Sequence, residues 1–200
     1  SKPVTPTRAE QRAMSRRLYG GLLGMVFVVN FGRVAFAPLV EPLQAAFDVG
    51  PAAIGAVVSL VWFGTALPRL PLSYVLTRVS RRRVVVVSGV ILTGAAVLTA
   101  LSPDIRTLRL GVLAVGVASG TYFVSAVPLI GELYPDRVGK RIGIHGTAAQ
   151  LAAVAAPTVV VSVVAVATWR AVFWLLAVAA FTTTVVFAVG LRRTDQVRES

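Results

Sequence analysis

The chain contains no cysteine, which removes disulfides, thiolate metal sites and cysteine nucleophiles together. It leaves the redox compartment undecided. Acidic residues are scarce, eight against twenty Lys and Arg, and histidine occurs once, as His145. Charged residues make up only 14% of the 200, where soluble domains carry about 25%. The chain has no H-E-x-x-H, no paired carboxylates inside an apolar run and no phosphate-binding glycine loop. Enzyme chemistry has nothing to stand on, and neither a cofactor nor a metal is expected.

What is abundant is apolar. The 56% apolar residues fall in blocks of about twenty, each long enough to cross a bilayer. The expected fold is an all-α polytopic membrane protein with six transmembrane helices. The net charge of +12 does not point to nucleic acid, because the basic residues flank apolar runs and form no separate face with interleaved aromatics. The first apolar run is long enough to remain a span, so no cleavable signal is expected. Ser1 is not an initiator methionine, which suggests a processed, trimmed or excerpted chain.

Taken in order, residues 1–17 are polar and basic (Lys2, Arg8, Arg12, Arg16, Arg17, with Pro3 and Pro6) and read as a mobile cytoplasmic tail. A six-helix bundle follows over 18–190, with spans at about 18–38, 52–76, 84–101, 108–130, 142–166 and 169–190. Residues 191–200 form a second cytoplasmic tail or the start of a central loop. Fifteen Lys and Arg fall on the side of the two tails, three at the opposite loops, and two (Arg33 and Arg69) inside spans. That bias places both termini in the cytoplasm, as an even number of spans requires. The expected location is the plasma membrane.

An internal echo is also present. Pro38-Leu39-Val40 to Leu43 repeats as Pro128-Leu129-Ile130 to Leu133, and Ile54-Gly55 as Ile142-Gly143. Three spans per copy is odd, so the copies must be inverted, a pattern of transporter folds.

The basic loop after the second span, Arg69 to Arg83, reads RLPLSYVLTRVSRRR. Arg69, Pro71, Arg78, Arg81 and Arg82 resemble in register the loop between the second and third helices of the major facilitator superfamily. Ser73 and Ser80 stand where that family prefers glycine, and Thr77 where it prefers aspartate. Gly116 to Gly120 and the stretch Glu132 to Gly143 resemble its fourth helix and the loop after it, except that Val112 occupies the usual arginine position and Arg109 lies one turn earlier. The resemblance implies the amino-terminal six-helix half of an alternating-access transporter. It implies helices one, two, four and five near the pathway, three and six outside, and a second six-helix half as partner, from the same chain or a second copy. It also implies a gating loop of Thr77, Arg78, Arg81, Arg82 and Glu132, with a lock that is weaker or differently built because Thr77 brings no charge. The run Arg69, Pro71, Ser73 is similar to the second helix of nitrate/nitrite porters.

Two cations without acidic neighbours inside spans mark the candidate site. Arg33 lies about 22 Å and Arg69 about 12 Å from the cytoplasmic end at ~1.5 Å per residue. Such charges normally face protein or water. Asn30 with Arg33, and Trp62 with Arg69, share helix faces, and Tyr122 and Gln150 are candidates to complete the lining. The expectation is a transporter of a small polar, plausibly anionic solute: a nitrate/nitrite-like or organic-anion porter, or a drug/proton antiporter. The alternative is a non-transporting membrane scaffold or assembly partner. Pro68, Pro71, Pro128 and Pro157 are candidate kinks, and Gly20/Gly24 and Gly116/Gly120 candidate close helix contacts.

Overall fold

The computed structural model describes residues 7–199, with side chains through Thr194, and among them every regular element is helical. α1 (Arg8–Val34) starts from a capping box: the Glu10 backbone N–H donates to Thr7 Oγ1 at 3.3 Å, and Glu10 Oε2 accepts from the Thr7 N–H at 2.7 Å. Residues 8–17 belong to α1 rather than to the mobile tail expected, and the cap takes up the Glu10 N–H of its first turn. Lys2, Pro3 and Pro6 lie outside the described residues, and so does the side chain of Arg198.

After a 3₁₀ turn at Ala37–Leu39 the first span continues into α2 (Val40–Phe47), which Asp48 closes in a left-handed conformation at φ 51°. The second span divides into α3 (Pro51–Ala66) and α4 (Arg69–Val75). Pro68, which has no N–H to donate and disfavours helix at Leu67, sits at the break. Pro128 and Pro157 are carried inside continuous helices, α6 (Ile105–Leu133) and α7 (Val138–Val166). α5 (Arg81–Ala100) and α8 (Trp169–Glu199) are the third and sixth spans. Six helices are long and apolar enough to cross a membrane.

The packing follows the inverted repeat. α1 packs on α6, α7 and α8, while α6 packs on α1, α3 and α5, and α5 packs on α8. Exchanging the first three spans for the last three maps this set of pairs onto itself. The first and fourth spans are the centre, and the second and fifth flank them without forming a strong pair of their own. Leu18, Leu22, Met25 and Val29 of α1 meet Tyr122, Phe173 and Phe187 in the core.

Two devices suit an interior without water. Glycines let backbones touch: a Cβ on Gly64 would overlap the Leu113 carbonyl, one on Gly116 the Val61 carbonyl, and one on Gly89 would overlap Thr184 Oγ1. By contrast Gly20 has no neighbour within 4 Å and Gly24 meets only Thr183 Cγ2 at 3.5 Å, so the first of the two expected glycine contacts is not made. Buried hydroxyls of Ser88, Thr99 and Thr184 donate to carbonyls of their own helices, at 2.6, 2.7 and 2.6 Å. The outer faces of α5 and α8 expose Val87, Val90, Phe181 and Val186, as helices against acyl chains do.

Candidate solute-binding site

The site forms where α1 is crossed by the flanking spans. Asn30 is buried and donates through Nδ2 to the Ala149 carbonyl of α7 at 2.6 Å. Its other amide atom, Oδ1, accepts from Arg33 Nη2 at 2.6 Å. Asn30 thus fixes the guanidinium one turn further along and ties it to the fifth span.

The Arg33 guanidinium carbon lies 4.8 Å from the Trp62 ring centre and 5.1 Å from that of Phe123. Cation–π contact with both rings partly replaces hydration. No carboxylate of the described residues pairs with Arg33, and its buried Nε hydrogen has no acceptor. Arg69, the first residue of α4, is exposed and lies on the same divided span as Trp62. Trp62 is also exposed, so the face is open on one side rather than sealed, while Gln150, next in sequence to Ala149, is exposed on α7.

Tyr122 is placed differently. It is fully buried: its hydroxyl donates to the Leu22 carbonyl at 2.8 Å and meets His145 Nε2 at 2.8 Å, tying α6 to α1 and α7. With no exposed surface it cannot touch a solute in this conformation, and it supports the site from behind. Its neighbour Phe123 holds the ring contact instead. Neither Phe123 nor the Ala149 carbonyl is a sequence candidate, because one is an ordinary apolar residue and the other a backbone atom. Of the fourth-helix positions, Val112 is in the core and Arg109 half-buried with an unpartnered Nε.

At the arginine-rich end of the bundle, Arg81 at the start of α5 forms an ion pair with Glu132 near the end of α6. Arg78 lies 4.9 Å from the Tyr74 ring, and the Thr77 hydroxyl donates to the Tyr74 carbonyl at 2.7 Å. Arg82 lines a cleft that includes Glu132.

The bundle is similar to solved peptide transporters. A structure of the peptide transporter POT in complex with sulfate aligns with TM-score 0.77 and 18% identity, covering 86% of this chain and 37% of that one. A mutant of the peptide transporter POT in complex with alafosfalin aligns at 0.76 and 17%, covering 94% and 40%. This chain therefore spans about two fifths of those transporters' length. No curated protein matches it. The profile of the Major Facilitator Superfamily matches residues 22–200, and this chain belongs to that superfamily.

Proposed function

We propose that the chain is one six-helix half of a secondary transporter that moves a small polar anion by alternating access. A second six-helix half, from the same chain or another copy, completes it, in the plasma membrane with both termini cytoplasmic. One observation carries the reading. The Arg33 guanidinium, in the last turn of α1 and inside the first span, has one hydrogen-bonded partner, the neutral Asn30, two aromatic rings beside it and no described carboxylate paired to it. An anion supplies the missing charge and accepts from the terminal N–H groups of the guanidinium. Exposed Trp62 and Gln150 then contact the solute, and Asn30 and Phe123 orient Arg33. The open face is where the second half would close the site.

The Arg81–Glu132 pair takes the role of a lock between the third and fourth helices, with Arg78, Arg82 and Thr77 around it. A scaffold would satisfy the cation fully from within; Asn30 and the two rings do so in part, but no described carboxylate neutralises it. The test is uptake of candidate anions into liposomes by the complete transporter. Arg33→Gln is expected to raise KM about tenfold or more, the loss of one charge-assisted hydrogen bond. Arg69→Gln should act in the same direction. Unchanged uptake in both variants removes the charge-anchor reading.

A further inference from the structure

We propose that the arginine-rich end of the bundle carries a second, separate anion site, a cleft that takes a phosphate-bearing group. The cleft has a volume of about 830 Å³, within the ~300–1,000 Å³ range of small-molecule sites. Its walls are the first turns of α1, the start of α5, the end of α6 and the start of α7. It lies well away from Arg33, at the far end of α1.

The arrangement follows from helix geometry. Arg8, Arg12 and Arg16 stand four residues apart, so they form one stripe along α1 facing the cleft. Arg137 and Arg141, again four apart, face it from the start of the fifth span, and Arg82 from the third. Leaving Arg82 aside, the other five arginines are accompanied among the described lining residues by only two carboxylates, Glu132 and Asp136, and Glu132 is already held by Arg81. Like charges gathered round one concavity repel, and bound anion relieves that repulsion.

Topology-setting arginines need only stand in water near the bilayer surface. Arg141 does more. Its guanidinium carbon lies 4.3 Å from the Tyr134 ring centre and 5.0 Å from that of Tyr19, and the two rings meet edge to face at 5.3 Å. The Tyr19 hydroxyl donates to the Arg141 carbonyl at 2.8 Å, fixing the backbone as well. Arg141 Nε and Tyr134 Oη are both buried and lack a hydrogen-bond partner. A guanidinium held in place over two packed rings is a preorganised fork, and such forks match the paired oxygens of phosphate.

Two sources offer that chemistry: the headgroup of an anionic phospholipid in the cytoplasmic leaflet, and a soluble phosphate. The experiment separates them. The chain is placed in nanodiscs of phosphatidylcholine alone or with increasing phosphatidylglycerol, and the phosphatidylcholine discs are also titrated with inorganic phosphate. The thermal midpoint is followed in each series. The midpoint should rise saturably with one of the two probes, and that probe identifies the source. In Arg12→Gln/Arg141→Gln the half-saturating amount should rise about tenfold or more, from loss of charge-assisted bonds. Arg192→Gln/Arg193→Gln removes equal charge at the same end of the bundle without touching the cleft and should leave the titration unchanged. Should the glutamine pair not fold, Arg12→Lys/Arg141→Lys keeps the charge and should still weaken the response. No stabilisation by either probe overturns the proposal. So does equal loss in the two glutamine pairs, which means diffuse surface charge, and so does full retention by the lysine pair.

Discussion

Removing one oxygen from the centre of the bundle gives a quantitative test of how the site is supported. Tyr122 is fully buried, and its hydroxyl has a single hydrogen, which goes to the Leu22 carbonyl at 2.8 Å. The second contact, to His145 Nε2 at 2.8 Å, must then be closed by a hydrogen on the imidazole. Tyr122→Phe deletes both bonds and strands Nε2–H of a histidine that is 2% exposed. Stranding a buried donor costs about 1–3 kcal/mol in water-soluble proteins, whereas hydrogen bonds inside membrane proteins average ~0.6 and reach ~1.7 kcal/mol. The expected loss is therefore about 1–2 kcal/mol. In a His145→Ala background the hydroxyl still serves Leu22 but strands nothing, so Tyr122→Phe should cost only ~0.6 kcal/mol there. The difference, a coupling of about 1 kcal/mol, is read from a double-mutant cycle on unfolding in mixed micelles. Equal cost in the two backgrounds, or no cost in the parent, refutes this account of the α1–α6–α7 junction.

Three further outcomes follow from the packing and the helix ends. Gly116→Ala drives a methyl into the Val61 carbonyl and Gly64, and should cost about 1–3 kcal/mol in the same unfolding assay; Gly20→Ala, with open space, should be neutral or slightly stabilising. Arg170 Nη1 donates to the Ala100 and Ser102 carbonyls at 2.7 and 2.9 Å, capping the end of α5, so Arg170→Ala should lose about 1.5–3 kcal/mol and Arg170→Lys less. Asp104 accepts from the Thr107 N–H at the start of α6, and this bond holds its carboxyl below the usual carboxylate value. A depressed folded-state pKa means that its contribution is present above the unfolded value and is lost as pH falls through the folded one. Asp104→Asn should therefore flatten the acid limb of the stability profile, measured as thermal midpoint against pH.

How much of this was legible in the sequence depends on the kind of signal. Blocks of apolar residues are a property of composition, so six spans could be read directly, and the echo of Pro38-Leu39 in Pro128-Leu129 with three spans per copy gave the inverted repeat. Arg33 announced itself because a charge in an apolar run has no structural excuse, and the three-residue spacing to Asn30 foretold their shared face. Phe123 could not be found that way, since an aromatic in a span is usually packing and only the packing of α6 on α1 shows that it lies beside Arg33. Spacing alone treats Gly20/Gly24 and Gly116/Gly120 alike, yet only the second pair faces another backbone. Tyr122 carries a polar group that suggested a cavity; the hydroxyl instead satisfies two buried partners, a distinction that depends on α1 and α7 being close. The first turns of α1 looked like a tail because their residues are hydrophilic, although Thr7 and Glu10 already held a capping box.

The central claim, that Arg33 anchors an anion on the open face, is tested most directly by Trp62, whose ring lies 4.8 Å from that guanidinium. With Trp169→Phe and Trp174→Phe leaving Trp62 as the single indole, its fluorescence is titrated with candidate anions and with a neutral analogue of equal size. The account predicts a saturable change with anion, none with the neutral analogue, and loss of the change in Arg33→Gln. The same titration curve in Arg33→Gln as in the parent would contradict it.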